Sequence, residues 1–189
     1  MTYAYQFATL ARVPTPHQAL AAHLRSVAAE VVGQFAPQMG WANNQAAVLL
    51  RGDDGALEAP GLITAVTAER LTPTLRPADD AVPQPGGVYV HRWFEVDAAN
   101  ADEFIHLSGQ GWQRFEAQFD TRIFGLFRVA PSSTDRDTGL QRLLLITRYA
   151  DHGVWEASRD PTSEAMQIFA RRQQLTRRSW AASTLLVKG

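Results

Sequence analysis

The chain has 189 residues, with 18 basic against 19 acidic side chains, a formal net charge of −1 and 46% apolar content. That balance argues against nucleic acid or an anionic membrane as a partner held by a dominant basic field, and a chain without cysteine has no disulfide, thiolate metal site or thiol nucleophile. The start, MTYAYQFATLARVP, lacks the basic-then-apolar order of a signal peptide, and no window approaches about eighteen uninterrupted apolar residues, so a cytoplasmic protein without a membrane span is expected.

Tyr3 to Leu10 reads as a strand with Tyr3, Tyr5 and Phe7 on one face. Val13-Pro14-Thr15-Pro16 breaks it and opens a helix, with a hydroxyl at Thr15 to cap and Pro16 at the first helical position, where no N–H is needed. Leu20, Leu24, Val27, Val31 and Phe35 recur at helical spacing, which carries the predicted helix to Phe35; Pro37 and Gly40 close it. Gln45 to Arg51 is a short apolar strand, Asp53-Asp54-Gly55 a turn, and Leu62 to Arg70 another strand. Residues 71–87 hold Pro73, Pro77, Pro83 and Pro85 and end in Gly86-Gly87, a linker extending over the surface.

The same order then returns. Val88 to Val96 (VYVHRWFEV) is a strand. Asn100 starts a helix whose buried stripe is Phe104, Leu107, Gly111, Phe115 and Phe119, with Trp112 alongside. Arg122 to Val129 and Leu140 to Tyr149 are strands, with a turn region beginning at Pro131-Ser132-Ser133. Asp151 to Arg159 is a short helix, Thr162 to Arg178 a helix with an arginine face, and Trp180 to Val187 a terminal strand. The second run is βαββαβ, the split βαβ pattern of ferredoxin-like folds. The first is a shortened copy, lacking the second helix and the fourth strand. The expected division is 1–70, a truncated βαββ half; 71–87, the Pro-rich linker; and 88–189, the complete half.

A sheet with helices on one side only alternates apolar and polar residues. Val88 to Val96 does not: Val88, Val90, Phe94 and Val96 share one face, and Tyr89, His91, Trp93 and Glu95 the other. The face without helices must be buried too, against the other half's sheet or against a second chain in a homodimer. The fold class is therefore α+β: two ferredoxin-like repeats, the first truncated, with antiparallel sheets packed as an α+β barrel.

VYVHRWFEV, DEFIHLSGQGWQRFEAQF, RIFGLFR, LLLITRYAD and WEASR resemble the dimeric α+β barrel superfamily, and within it proteins with a NIPSNAP domain, over about residues 88–187. The resemblance implies two ferredoxin-like units closing a barrel, with a cavity between sheet and helices. The superfamily's members include cofactor-free monooxygenases, isomerases and haem-handling enzymes, so the resemblance leaves the chemistry open.

No hydrolase, zincin, Walker or dinucleotide motif is present, and no cofactor or metal is expected. Ser108-Gly109-Gln110-Gly111 lies inside a helix, its glycines reading as sites of close helix–sheet approach. His91 shares its face with Tyr89 and Trp93 and is the candidate general base. Arg92, Arg128 and Arg148 fall on separate strands that a ferredoxin-like order brings together, as anion-holding candidates. Trp93 and Trp112 complete the candidate ligand-binding set. Arg171, Arg172, Arg177 and Arg178 read as a solvated helix face. The function expected is binding of a small apolar or aromatic ligand in a sheet–helix cavity. The alternatives are a cofactor-independent monooxygenase or isomerase on a small aromatic substrate, with His91 as base and Arg92 or Arg128 holding an oxyanion, and haem binding through His91 or His106.

Overall fold

The computed structural model describes residues 1–52 and 55–188, so the expected turn at Asp53-Asp54 lies outside the described residues. In chain order the elements are β1 (Tyr3–Leu10), α1 (Pro16–Leu24), β2 (Glu30–Met39), β3 (Gln45–Arg51), β4 (Ile63–Pro73), β5 (Val88–Asp97), α2 (Ala101–Gln118), β6 (Thr121–Val129), α3 (Ser133–Thr138), β7 (Leu140–Tyr149), α4 (His152–Ala157), α5 (Glu164–Gln174) and β8 (Thr176–Leu186). The strands close a barrel in the order β1-β3-β2-β8-β5-β7-β6-β4, antiparallel throughout. Within that ring each half keeps the ferredoxin-like order: β8-β5-β7-β6 in the second and β4-β1-β3-β2 in the first. The halves join at two seams, Phe35 to Met39 of β2 against Leu186 to Ser183 of β8, and Leu71 to Pro73 of β4 against Val129 to Phe127 of β6. One chain therefore closes the ring.

The first half is truncated by one helix only, and it does have a fourth strand. The predicted long helix is really α1 followed by β2. Helix α1 stops at Leu24, with Arg25 as its C-cap. Val31 and Phe35 lie in β2, where their spacing matches a helix only by coincidence. Apolar recurrence cannot separate helix from strand in short windows, and the β-branched pair Val31-Val32 favours the strand. Pro37 sits inside β2 at a register shift, where the ladder is already interrupted. Pro16 opens α1 as expected, but Thr15 is left-handed and its hydroxyl caps nothing.

Alternation on the strands separates two apolar bodies. The barrel interior takes Tyr3, Tyr5 and Phe35 from the first half and Tyr89, Trp93, Phe127 and Ile146 from the second. The other face of the second half's sheet packs Val90, Phe94, Ile123, Leu143 and Leu145 beneath α2 and α5, against Phe104, Phe115 and Phe169. A register shift between Ile123 and Gly125 changes the phase of β6, so that Ile123 and Leu126 face the helices while Phe124 and Phe127 face inward.

The linker is not a surface spacer. Thr74 N–H donates to the Leu126 carbonyl and Leu126 N–H to the Arg76 carbonyl, which lays the chain along β6. Pro77 and Pro83 are buried, and Ala81 packs on the interior cluster at one end of the barrel.

Candidate functional site

β5 divides the predicted site residues, because neighbours on a strand point to opposite faces. His91 points into the barrel, with 0% of its surface exposed. Its Nδ1 lies 2.9 Å from the Tyr5 hydroxyl, and its ring packs edge-on to Phe35 and Trp41 at 4.6 and 5.4 Å between centroids. Its Nε2 has no hydrogen-bond partner among the described residues. Burial pushes its pKa down to about 3 and pushes that of Tyr5 well above the ordinary phenol value, so both rings are neutral.

Above His91 the barrel opens into a cup of about 240 Å³ walled by Tyr5, Phe7, Trp41, Trp93 and Trp180. Trp93 and Trp180 are a cross-strand pair with rings 6° from parallel. On the polar side of the cup, Arg142 clasps the Glu69 carboxylate at 2.6 and 3.2 Å and reaches Asp135 through its Nε. The opposite end of the barrel, under the linker, holds a cavity of about 330 Å³ bordered by Tyr89, Phe124 and Arg148.

Arg92 points the other way, into a cavity of about 60 Å³ between the second half's sheet and its helices. Trp112 and Phe115 of α2, Tyr149 of β7, Trp155 of α4, and Met166 and Phe169 of α5 form its apolar wall. A second guanidinium, that of Arg172 on α5, shares the space. It stacks over Phe169, Phe94 and Phe104 at 4.2, 5.4 and 5.4 Å, with Nη1 3.4 Å from the Ser108 hydroxyl. Burial, and then the charge of Arg92, lower the Arg172 pKa to about 9; burial, and then Arg159, lower that of Arg92. Burial raises the Tyr149 pKa, which keeps that hydroxyl protonated. The indole N–H groups of Trp112 and Trp155 are buried without an acceptor among the described residues.

The three predicted arginines do not meet. Arg128 pairs with Asp102 at the start of α2, and Arg148 pairs with Asp120 at 3.3 Å and donates to the Gly86 carbonyl. Neither lines the sheet–helix cavity: Arg128 is held on the helix side at the start of α2, and Arg148 at the end of the barrel under the linker. Of the predicted set Arg92 and Trp112 line it, Trp93 belongs to the cup, and His91 lies in the packed interior.

The glycines of α2 serve helix–helix and helix–linker contact, not the helix–sheet contact expected. A methyl group at Gly111 would stand 2.2 Å from the Phe169 ring, and one at Gly109 would stand 2.4 Å from Leu75. The sequence reading missed Arg172, having placed it on a solvated face. It had a signal: Met166, Phe169 and Arg172 recur every three positions, which keeps Arg172 on the apolar stripe. Arg177 and Arg178 belong to β8, where they pair with Asp97 and Glu95, and not to a helix.

Haem does not fit this arrangement. His106 is exposed and bonded to Gln110, His91 lies across the sheet from the helices, and about 60 Å³ does not admit a porphyrin. Among the described residues no three His, Asp or Glu side chains come together as metal ligands.

Fold and cavity together define an α+β barrel of ferredoxin-like units. No family model matches the sequence, and no curated protein matches it either. Solved structures do match in fold. An anthrone oxidase-like protein superposes with a TM-score of 0.63 at 14% identity, covering 99% of this chain and 91% of that one. A heme-degrading enzyme from Listeria monocytogenes gives 0.58 at 8% identity, over 98% and 99% of the two chains. A ferredoxin-fold protein from the same organism, related to antibiotic biosynthesis monooxygenases, gives 0.53 at 10% identity, over 100% and 97%. No helix among the described residues is long and apolar enough to cross a membrane.

Proposed function

We propose that this chain is a cytoplasmic, NIPSNAP-like barrel that binds a small apolar or aromatic compound in the cavity between the second half's sheet and α2, α4 and α5. One observation carries the reading: an aromatic-walled space is lined by Trp112 and Trp155, whose buried indole donors have no acceptor among the described residues. Buried donors are normally paired, and a ligand supplies the missing partner. Met166, with its flexible thioether, is the wall able to adjust to a ligand larger than about 60 Å³.

The test is a titration of the full chain with a neutral aromatic probe, naphthalene-1-carboxamide, followed by indole N–H resonances. Saturable shifts of Trp112 and Trp155 are expected, and the cavity-filling Met166→Trp variant should abolish them. Shifts confined to Trp93 and Trp180 would move the site to the barrel cup and overturn the assignment.

The oxygenase or isomerase reading draws support from the monooxygenase-like neighbours. It requires a base and an oxyanion holder in one space, and His91 and Arg92 lie on opposite faces of β5. Chemistry in the sheet–helix cavity would therefore have to use Arg92, Arg172 and Tyr149 without His91.

A further inference from the structure

Most arginines of the second half have an acid at hand. Arg128 has Asp102, Arg142 has Glu69 and Asp135, Arg148 has Asp120, and Arg171 has Glu103. The sheet–helix cavity breaks that pattern. Arg92 and Arg172 enter it from opposite walls, strand and helix, and the groups acting on them electrostatically are each other, Tyr149 and Arg159, none of them a carboxylate. Two like charges sharing a half-buried space are unfavourable unless an anion joins them. The neighbouring polar groups are also donors: the Tyr149 hydroxyl and the indole N–H groups of Trp112 and Trp155. Arg172 is held in place by three phenylalanine rings, so its fork is oriented before any ligand arrives.

We infer that the ligand of this cavity is an acid: a monocarboxylate with an apolar or aromatic body, its carboxylate clamped between Arg92 and Arg172. The inference rests on the ligand-binding reading above and adds the charge of the ligand to it. Size agrees. The space of about 60 Å³ corresponds to roughly two water molecules at about 30 Å³ each, which suits a carboxylate group. The rest of the molecule meets Trp112, Trp155, Phe169 and the adjustable Met166. Arg159, exposed at the rim, adds positive charge at the entrance.

The experiment compares two probes that differ only at the polar group, 1-naphthoate and naphthalene-1-carboxamide, on the full chain at pH 7 and low salt. Indole N–H and arginine Nε–H resonances report the site. Naphthoate should bind at least tenfold tighter than the amide, and it should shift the Nε–H signals of Arg92 and Arg172 with those of Trp112 and Trp155. Arg92→Gln and Arg172→Gln, made separately and checked for native spectra, should each remove the preference for the acid while amide binding persists. Arg171→Gln, altering the paired surface arginine one position away, should leave the preference intact. Equal binding of acid and amide would overturn the carboxylate inference and leave the ligand-binding reading standing. A Trp112 resonance that neither probe moves would overturn both. If one arginine variant does not fold, the other decides the matter alone.

Discussion

A histidine sealed in an aromatic cage cannot take up a proton without taking a charge out of water. His91 meets Tyr5, Phe35 and Trp41, and burial alone moves its pKa from the ordinary 6.5 to about 3. The unfolded chain therefore binds this proton at pH values where the folded chain does not. Stability from the neutral ring is intact above pH 6.5 and is lost progressively as pH falls toward 3. The whole window is worth up to about 5 kcal/mol, of which about 2 kcal/mol falls above pH 5, at 1.36 kcal/mol per pKa unit. Urea unfolding at pH 7 and pH 5 should show the parent losing about 2 kcal/mol more than a Tyr5→Phe, His91→Phe double variant, which removes the ring and its hydroxyl partner together. Parallel losses would show that water reaches the imidazole. The sequence made His91 conspicuous because it is polar in an aromatic strand. Its face was legible; the cage was not, since Phe35 and Trp41 come from the other half of the chain.

Elements were read best where strand periodicity and turn chemistry agreed. β3 and β7 have the predicted limits, and β5 runs one residue further. Reading failed where a helical spacing fell by chance on a short helix and the strand after it, as at α1 and β2, and where α5 gives way to β8 after Gln174. Both errors hid function. The second turned one inward arginine into part of a solvated stripe, because the run of neighbouring arginines masked the recurrence of Met166, Phe169 and Arg172. The packing of α5 on α2 makes that recurrence plain. That packing depends on Gly111, where α2 leaves room for Phe169. Alanine there gains about 1 kcal/mol of helix propensity, while overpacking costs about 1–3 kcal/mol and must push Phe169 toward the cavity. Gly111→Ala should therefore lower stability by up to about 2 kcal/mol and weaken binding of the naphthalene probes at least tenfold, both measured in the same preparation. A gain in stability with unchanged binding would mean that α2 and α5 are packed more loosely than the structure shows.

At the scale of the molecule, the resemblance in the second half was enough to give the barrel, while the completeness of the first half was not visible. Its unseen strand is β2, which reads as the end of a helix until its partners β3 and β8 are known. Neither half has a finished interior alone: Tyr3, Tyr5 and Phe35 on one side complete Tyr89, Trp93 and Phe127 on the other. A fragment of residues 86–189 should accordingly associate, or bind a dye for exposed apolar surface, in sedimentation and fluorescence measurements. A folded, soluble monomer would contradict the shared core. Ring closure has a consequence for the company this protein keeps. Each of the eight strands has a neighbour on both flanks, but the two seams are short, and residues 63–69 of β4 and 176–181 of β8 have a ladder partner on one side only. Strand addition is therefore confined to such stretches beside the seams. Away from them, a partner must be recognised through side chains, on the helices or at the two mouths.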